Sequence, residues 1–541
     1  MTYFQNLKNS VIVAGLFLAI AISISLHLTS PTLPCFNSDE ASFAYNAYSI
    51  AKTARDEYGK FMPSRFLAFG ENKLPVTIYL IAPFVSVLGL TEEVARLPFM
   101  LMGIFSPLLF FLLIKFLTKK VKIALIGAFL AAISPWIQIM SRHIHENIIM
   151  LILTIGGVYF LSKLQEKVTF RRLLVISFLT VISLFTYHMG KIIAVFILVW
   201  SFFILLKNHE NKTYIKKSLL IFFIPVLFFI FTEFQNPTSR ISNLLFLNEQ
   251  GFILNIENLR NAHDSRLIHN KLTHAVLFVT NQYLSYFSPE FLVIKGDANQ
   301  RFGQEGVSPI TPIEYFLIFI GIYFAFKKKL PSRYILLTLL LVAPMSAALS
   351  YQNNSITRSF LMILPIIVFV SYGINNLIST LDFKLFKYLT ILTVFIGISF
   401  FSFMSWESYF NHYLKSRETA FAWQCGYKDL GDYINENYDK FDTFYITKKL
   451  GQPYIFTLFY LKFPPSIYQT QAKLSTPDEY GFGQVERFDK FIFDFKKPDK
   501  AESAAYIGYE EDFDDNQKSG LKKIVFENTN MFFIYESPKN N

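Results

Sequence analysis

Two adjacent carboxylates follow the first apolar run of the chain. They are Asp39 and Glu40, in the stretch "PCFNSDEASFAY" at residues 34–45. Apolar residues recur at helical spacing from Phe43 onward, which predicts a short amphipathic helix with Ser38 or Asp39 at its N-cap. A cap needs only one carboxylate, so the second requires another explanation. A carboxylate beside a bound hydroxyl can accept its proton, which makes the pair a candidate general base.

Further ionisable residues lie in short motifs along the chain. Alone, each motif has a simpler explanation, such as a solvated turn, a helix cap or a cation that extends from a helix end to the membrane interface. Together they supply cations that can hold a phosphate and carboxylates that can accept a proton. The candidates are Glu71 and Lys73 in "FGENKLP", Arg142 and Glu146 in "SRHIHENI", Tyr187 and Lys191 in "TYHMGK", Arg301 in "GDANQRFGQEG" and Arg358 in "NNSITRSF".

The motif "SRHIHENI" also brings two histidines next to a glutamate. His143, His145 and Glu146 do not have the H-E-x-x-H spacing of a zinc-binding helix, and no third ligand follows at a recognisable distance. The motif by itself therefore does not predict a metal site.

The elements that position these residues are membrane spans. The chain has 541 residues, of which 52% are hydrophobic and 17% charged, and 61 are phenylalanines, as is typical of a polytopic membrane protein. Eleven apolar segments are long enough, or nearly so, to cross a hydrocarbon core. The first is interpreted as a retained span, because no small-x-small cleavage site follows it. The segments are approximately 11–28, 97–114, 123–141, 147–162, 173–190, 192–206, 218–234, 311–326, 334–350, 359–378 and 388–405.

The connections between these segments divide sharply by charge. With alternating orientation, one side receives connections with 19 Lys and Arg residues against three acidic residues, a net charge of +16. The whole chain has a formal charge of +11, so the remainder carries −5. The positive-inside rule therefore places the basic side in the cytoplasm, and no nucleic-acid partner is needed to explain the charge. The basic connections are 1–10, 115–122, 163–172, 207–217, 327–333 and 379–387.

The remaining long segments are predicted on the extracytoplasmic face. They are a first outer loop at 30–96, a long outer loop at 235–309 and a tail at 406–541 that follows a transmembrane domain of residues 1–405. The apolar segment 74–90 is short and holds two prolines. We expect a juxtamembrane helix there rather than another span.

The tail has the pattern of a small α/β domain. Strands are predicted in "DTFYIT", "KKIVFE" and "NMFFIYE", the last two around an Asn-Thr-Asn turn, and a helix in "KDLGDYINENY". The two cysteines of the chain, Cys35 and Cys425, both face outside in this topology. A disulfide that ties the first outer loop to the tail is compatible with it.

This topology places the candidate carboxylates and cations at one membrane face. Ionisable residues at such positions are costly and tend to face protein or a wet cavity. An enzyme that acts on a phosphate-linked lipid needs such a set, because cations neutralise the departing phosphate and a carboxylate accepts the proton of the attacking hydroxyl.

The order of the motifs resembles the GT-C membrane glycosyltransferases, in particular bacterial relatives of protein O-mannosyltransferases and aminoarabinose transferases (glycosyltransferase family 39). The resemblance covers most of residues 30–378. It rests on the acidic pair, "ENKLP", "RLP", "SPWIQIMSRHIHENI", "TYHMGK", "SPEFLVIKGDANQRFGQEG" and "TRSFLMILP", and "WQCGYKDLGDYI" of the tail is similar to the outer domain of a bacterial subset. It implies an α-helical polytopic fold of the GT-C type, with about 11 transmembrane helices, juxtamembrane helices and a small C-terminal extracytoplasmic α/β domain.

The resemblance also implies roles for individual residues. Asp39 takes the position of the catalytic base, with Glu40 assisting or orienting it. Lys73 and Arg358 take the positions of ligands to the donor phosphate, and Glu146 that of an acidic residue in the second outer loop.

Two positions depart from the family pattern. Lys191 stands where an arginine is expected, and Asn72 separates Glu71 from Lys73. Some relatives bind a divalent metal near this site and others do not, so the resemblance leaves the cofactor open.

The implied reaction is a single inverting displacement at the outer membrane face. The donor is a polyprenyl-phosphate monosaccharide whose lipid lies among the spans, and the acceptor hydroxyl belongs to a protein, a lipid or a glycan. An oligosaccharyltransferase or polysaccharide ligase is the alternative, since it shares the lipid-phosphate chemistry but transfers a whole glycan. A secondary transporter agrees less well, because the centres of the spans are almost free of charge and the sequence shows no internal repeat.

Overall fold

The computed structural model of the chain describes residues 2–207, 212–235, 250–263, 267–297, 299–303, 306–350, 354–475, 485–499 and 501–537. Parts of the long outer loop predicted at 235–309 therefore lie outside the described residues, namely 236–249, 264–266, 298 and 304–305.

Helices make up most of the described chain. In order they are α1 (Thr2–Leu28), α2 (Ser38–Thr53), α3 (Pro75–Leu88), α4 (Glu92–Thr118), α5 (Val121–Ile133), α6 (Pro135–Met140), α7 (Glu146–Glu166), α8 (Phe170–Leu184), α9 (Gly190–Leu206), α10 (Lys212–Gln235), α11 (Gln250–His263), α12 (Lys271–Ser285), α13 (Pro312–Lys327), α14 (Arg333–Val342), α15 (Met345–Ala348), α16 (Ile363–Thr380), α17 (Lys384–Glu407), α18 (Arg417–Ala422), α19 (Tyr427–Asn437), α20 (Pro453–Tyr460), α21 (Pro465–Gln471) and α22 (Asp515–Lys518). Single π-helical turns occur at Glu290–Lys295 and Ser408–His412.

The strands lie in a short hairpin and one larger sheet. The hairpin consists of β1 (Phe66–Ala68) and β2 (Glu71–Lys73). The sheet consists of β3 (Thr443–Ile446), β4 (Lys473–Leu474), β5 (Val485–Phe488), β6 (Phe491–Ile492), β7 (Ala504–Gly508), β8 (Lys522–Phe526) and β9 (Thr529–Ser537).

Internal contacts divide the chain into two units. The first, here called the helical unit, comprises residues 1–31 and 99–410. The second, the mixed unit, comprises residues 32–98 and 411–541. The first outer loop of the sequence thus shares a unit with the C-terminal tail.

Long apolar helices identify a helical membrane protein, as the composition predicts. Among the described residues, six helices are long and apolar enough to cross a membrane by length and composition. The eleven predicted segments all fall mainly on helices, although eleven as the number of spans stays a prediction. The six helices are Ser10–Leu28, Glu92–Thr118, Glu146–Glu166, Tyr214–Phe234, Phe360–Thr380 and Lys384–Lys415.

Some predicted segments are interrupted helices. The segment 123–141 contains α5 and α6, because Ser134 has an extended backbone and Pro135 opens the next helix. Proline lacks the amide that would continue the first helix, but it suits the first position of the second. The Ser134 hydroxyl caps α6 by accepting from the amide of Ile137 at 3.4 Å.

Two glycines allow helices α13 and α16 to approach closely within the helical unit. A Cβ atom on Gly321 would lie 1.9 Å from the carbonyl oxygen of Phe369, and one on Gly373 would lie 2.9 Å from the amide nitrogen of Gly321. Any larger side chain at these positions would force the two backbones apart.

The mixed unit is built on a seven-stranded sheet with the order β4-β5-β6-β3-β7-β9-β8. β3 runs parallel to its neighbours β6 and β7, and the other pairs are antiparallel. Tyr445 and Tyr506 stack at 5.1 Å between ring centroids, in a buried cluster with Phe513 and Phe533. The tail thus has the predicted α/β character.

The predicted elements of the tail are present, with one shift. β3, β8, β9 and α19 coincide with the predicted strands and helix. The turn between β8 and β9 consists of Glu527 and Asn528, because Phe526 pairs with Thr529. The predicted Asn-Thr-Asn turn was therefore wrong by one residue. Glu527 adopts the left-handed conformation, with φ of 50°.

A disulfide joins the two chain segments of the mixed unit. Cys35 and Cys425 are bonded, with 5.3 Å between their Cα atoms and 390 residues between them in sequence. Nearby, the amide of Ser38 donates to the side-chain oxygen of Gln424 at 2.9 Å, and the Tyr45 hydroxyl donates to the carbonyl of Phe463 at 3.0 Å. These contacts anchor the start and middle of α2 on the tail.

Candidate active site

The acidic pair lies in the first turn of α2, and neither acid is the cap. Asn37 is the N-cap, because its side-chain oxygen accepts from the amides of Asp39 and Glu40 at 2.9 and 3.2 Å. The predicted cap at Ser38 or Asp39 was therefore wrong. Asn37 satisfies the free amides at the helix start, so the Asp39 carboxylate is not needed for that purpose.

Glu40 is completely buried and its two carboxylate oxygens are both bound. Arg96 donates from Nε to Oε1 at 2.8 Å and from Nη2 to Oε2 at 2.7 Å, in a bidentate ion pair. Oε2 also accepts from the backbone and side-chain nitrogens of Asn37 at 3.3 and 3.0 Å. The Arg96 guanidinium also lies over the ring of Phe36, 5.2 Å from its centroid. Glu40 therefore fixes the position of the helix start.

Asp39, in contrast, presents its carboxylate to solvent. Its side chain is 49% exposed, and Oδ1 lies 3.0 Å from the ammonium of Lys73. Lys73 is 9% exposed and also donates to the backbone carbonyl of Asp39 at 3.3 Å. The ammonium lies over the rings of Phe43 and Phe69, at 4.3 and 5.1 Å from their centroids. The structure thus brings together the carboxylate and the cation that the sequence assigns to base and phosphate ligand.

A tight hairpin positions Lys73. β1 and β2 pair from Phe66 with Lys73 to Ala68 with Glu71, so the connecting turn is Phe69 and Gly70. Both turn residues have positive φ, 55° and 84°, as in the type I′ turn that suits two-residue hairpins. Glu71, at the start of β2, is half-buried and belongs to the same hairpin.

A buried carboxylate that the sequence did not indicate lies close by. Glu57 is fully buried, its amide donates to the Asn46 side-chain oxygen at 3.0 Å, and its Oε1 accepts from the Asn46 amide group at 3.2 Å. Its Oε2 has no hydrogen-bond partner among the described residues. The pKa of Glu57 is raised to about 8, chiefly by burial; the Asn46 hydrogen bond and Lys73 lower it, and the nearby Asp56 raises it.

The raised pKa of Glu57 predicts that the free energy of unfolding depends on pH. The folded pKa lies above the unfolded value of 4.5, so stability is lost as pH rises from about 4.5 to about 8. Glu57→Gln removes the titration. The variant should match the wild-type melting temperature at pH 5 and exceed it at pH 8.5, where its free energy of unfolding should be higher by on the order of a few kcal/mol at most. Equal melting temperatures at both pH values would show that Glu57 titrates normally.

The other predicted site residues belong to the helical unit, and Arg142 has extensive backbone contacts there. Its guanidinium donates to the carbonyls of Leu26, Thr29 and Ser30, the last two at 2.8 and 2.7 Å. These carbonyls lie at the C-terminal end of α1, where a cation is favourable. The group also lies over the ring of Phe410, 5.1 Å from its centroid. A substrate-binding role for Arg142 stays a prediction.

Three of the predicted motifs meet within the helical unit. The ring of His145 lies 5.6 Å from that of Tyr187 and 5.8 Å from that of Phe302, centroid to centroid. Its Nδ1 lies 3.5 Å from Oε2 of Glu146 and caps α7 by accepting from the amide of Asn147 at 3.2 Å. "SRHIHENI", "TYHMGK" and the described part of "GDANQRFGQEG" around Phe302 are therefore neighbours, although they are far apart in sequence.

The remaining predicted cations have distinct surroundings. Lys191 lies 3.4 Å from the carboxylate of Glu233. Arg301 is half-buried, and its amide donates to the Asn299 side chain at 2.9 Å. Arg358, before α16, donates to Ser350.

Arg358 lies in a loop that a buried acid holds in place. The Asp297 carboxylate accepts from the amide of Ile356 at 2.7 Å and from that of Asn299 at 2.8 Å. Asp297 thereby connects this loop to the segment that carries Arg301. It lies in the quoted motif "GDANQRFGQEG", but nothing in the sequence distinguished it from a solvated loop acid.

Metal-binding side chains do not cluster in the part of the chain that the structure describes. Over those residues, no group of three or more His, Cys, Asp or Glu side chains could hold a metal ion. His145 and Glu146 are adjacent, but within the described ranges they are not joined by the further ligands that a metal site needs.

Part of the chain, including several of these site residues, matches a known protein family. The family model of the dolichyl-phosphate-mannose-protein mannosyltransferases matches residues 72–232, which include Lys73, Arg142, Glu146, Tyr187 and Lys191. A search of curated proteins found no match.

Two solved structures share the fold. The archaeal oligosaccharyltransferase AglB from Archaeoglobus fulgidus, in complex with an inhibitory peptide and a dolichol-phosphate, has a TM-score of 0.51 and 12% identity over 84% of this chain. The chain spans 64% of the length of AglB. ArnT from Cupriavidus metallidurans in the apo state has a TM-score of 0.51 and 8% identity over 97% of this chain and 98% of ArnT. The expected resemblance is thus confirmed: the chain is similar to GT-C membrane glycosyltransferases over residues 72–232 in sequence and over most of its length in fold.

Proposed function

We propose that the chain is an inverting membrane glycosyltransferase that moves a monosaccharide from a polyprenyl-phosphate donor to an acceptor hydroxyl. The observation that carries the proposal is the half-exposed Asp39 carboxylate 3.0 Å from the buried ammonium of Lys73. The family model that matches residues 72–232 and the dolichol-phosphate in the AglB complex support the lipid-phosphate chemistry.

The proposed reaction is one displacement at the anomeric carbon. The acceptor oxygen forms a bond to this carbon as the bond to the phosphate oxygen breaks, so the configuration inverts. Asp39 takes the acceptor proton, and the electron pair of the broken bond leaves with the lipid phosphate. Lys73 neutralises the negative charge that develops on that phosphate.

The ion pair between Asp39 and Lys73 belongs to the state without donor. When the donor phosphate binds, it competes with Asp39 for the Lys73 ammonium. The half-exposed Asp39 carboxylate then accepts from the acceptor hydroxyl on its solvent side. The rings of Phe43 and Phe69 keep the ammonium in place during this exchange.

We assign Glu40 a positioning role rather than proton transfer. Its oxygens are engaged by Arg96 and Asn37 and it is fully buried, so a substrate hydroxyl has no access to it. For Glu71, Arg142, Glu146, Tyr187, Lys191, Arg301 and Arg358, donor or acceptor binding is proposed from the sequence alone.

The proposed site and tail face the extracytoplasmic side. The charge of the basic connections supports this orientation. The Cys35–Cys425 disulfide supports it independently, since such bonds persist in oxidising compartments and are rare in the cytosol.

A donor-transfer assay with the full chain in nanodiscs tests the function. A radiolabelled polyprenyl-phosphate monosaccharide should lose its label to a membrane-extract acceptor, with free polyprenyl phosphate as co-product. Transfer only from a polyprenyl-diphosphate oligosaccharide would instead support the second candidate, an oligosaccharyltransferase, which the fold shared with AglB favours. No transfer from either donor, together with uptake of labelled sugar into proteoliposomes, would replace both by a transporter.

A further inference from the structure

A cavity lies within the helical unit, where residues of several predicted basic connections meet. Its volume is about 890 Å³, which is in the size range of ligand sites. It lies where α7 and α9 end and where α10 and α14 begin. Its lining includes residues of three of the six basic connections, 163–172, 207–217 and 327–333. None of the residues assigned to sugar transfer lines it.

The charged part of the lining is predominantly cationic. Among the described residues, Lys167, Lys207 and Arg333 line the cavity against a single carboxylate, Glu166. Glu166 already has cations nearby, with Lys163 at 3.7 Å and Lys119 at 3.9 Å. The cavity therefore has a net positive charge and suits an anion.

Two of these cations have no ion-pair or hydrogen-bond partner within the described part of the chain. Among the described residues, the ammonium groups of Lys167 and Lys207 make no ion pair or hydrogen bond, and both side chains are exposed. Two neighbouring cations have defined positions: Arg333 lies over the ring of Tyr334, 4.6 Å from its centroid, and Arg172 donates to the carbonyl of Lys167.

The rest of the lining is aromatic and aliphatic. Trp200, Phe203 and Ile204 come from one face of α9, and the rings of Trp200 and Phe203 lie 5.3 Å apart. Tyr214 and Tyr334 complete the aromatic lining. Such rings sit at the depth of lipid headgroups, with apolar surface available to an acyl chain.

A ligand for this cavity must combine an anionic headgroup with an apolar chain. We propose that it binds one anionic phospholipid from the leaflet that faces the basic connections, with the phosphate at Lys167, Lys207 and Arg333 and an acyl chain along Trp200 and Phe203. Basic pockets between membrane helices commonly hold such headgroups. The bound lipid connects the C-terminal ends of α7 and α9 with the N-terminal end of α14. This lipid site does not depend on the sugar-transfer activity.

Trp200 supplies a local reporter for the test. The chain has four tryptophans, and Trp136, Trp406 and Trp423 are buried, whereas Trp200 is half-buried at the cavity. The full chain is placed in nanodiscs with increasing fractions of brominated phosphatidylglycerol or brominated phosphatidylcholine. Bromine quenches tryptophan fluorescence at short range, and subtraction of the Trp200→Phe variant isolates the Trp200 signal.

We expect half-maximal quenching at a several-fold lower fraction of brominated phosphatidylglycerol than of brominated phosphatidylcholine. Lys167→Gln/Lys207→Gln should remove this preference. Lys384→Gln/Lys387→Gln is the matched control, since it removes one exposed and one half-buried lysine of another basic connection outside the cavity and should keep the preference.

Several results would overturn the proposal. Equal quenching by both lipids, or a preference that survives in Lys167→Gln/Lys207→Gln, would exclude a headgroup site. An equal loss in both double variants would indicate general attraction of the charged surface. Displacement by equimolar undecaprenyl phosphate would assign the cavity to a lipid carrier instead. Displacement by millimolar inorganic phosphate at constant ionic strength would assign it to a free anion.

Discussion

Replacing Asp39 by asparagine should lower the initial rate of sugar transfer by about 100- to 10,000-fold, the range that a general base contributes. Asparagine keeps the shape of the side chain but cannot accept the proton of the acceptor hydroxyl. The measurement is release of label from a saturating polyprenyl-phosphate donor by the full chain in nanodiscs.

Donor affinity separates this role from a structural one. Lys73 loses its competing carboxylate in Asp39→Asn, so the donor should bind as tightly as in the wild type, or more tightly, while the turnover rate falls. Asp494→Asn is the matched control, because it removes an exposed acid of the mixed unit. A rate within a few-fold of the wild type in Asp39→Asn would move the base to another residue. An equal fall in Asp494→Asn would assign the loss to net charge.

Replacing Arg96 by methionine should destabilise the mixed unit by about 3–5 kcal/mol, since the change leaves a buried carboxylate without its partner. Glu40 is completely buried and its partner is 3% exposed, so water cannot replace the lost guanidinium. Faster hydrogen exchange of α2, followed by mass spectrometry, and a lower melting temperature would report the loss.

Two further variants make this test specific. Lys518→Met disrupts an ion pair of similar length, 2.7 Å, whose Asp515 side chain is 97% exposed, and it should leave the stability nearly unchanged because water screens this pair. Glu40→Leu/Arg96→Met removes both buried charges and should recover part of the loss. If Arg96→Met were no more harmful than Lys518→Met, the buried pair would have no structural role.

The sequence predicted the features that depend on local pattern. Apolar runs located the helices of the membrane-embedded part, since hydrophobic length is nearly sufficient to define such helices. Alternation located β3, β8 and β9 in the tail. The acidic pair and Lys73 were chosen on residue type and order, and the structure places Asp39 and Lys73 in direct contact.

The features that the sequence did not predict depend on contacts between distant segments. Arg96 belongs to the motif "RLP", and nothing in its sequence neighbours indicates that it pairs with Glu40, 56 residues earlier. The sequence does not single out Asn37 as the N-cap. Asn37, Ser38 and Asp39 all have side chains suited to a cap, and only the backbone conformation decides between them. The high pKa of Glu57 arises from burial, and Tyr454 and Tyr468 of the tail lie close enough to interact with its charge, which the local sequence does not reveal.

The disulfide between Cys35 and Cys425 imposes an order on the biogenesis of the chain. The ribosome must synthesise 390 residues after Cys35 before its partner exists, and these include the membrane helices from α4 to α17. The mixed unit therefore cannot close until membrane insertion is almost complete. A chain that stops before residue 425 keeps Asp39 and Lys73 in its sequence but lacks the covalent anchor in front of α2. Quality control that detects the unpaired Cys35 thiol could thus distinguish a truncated chain from a finished one.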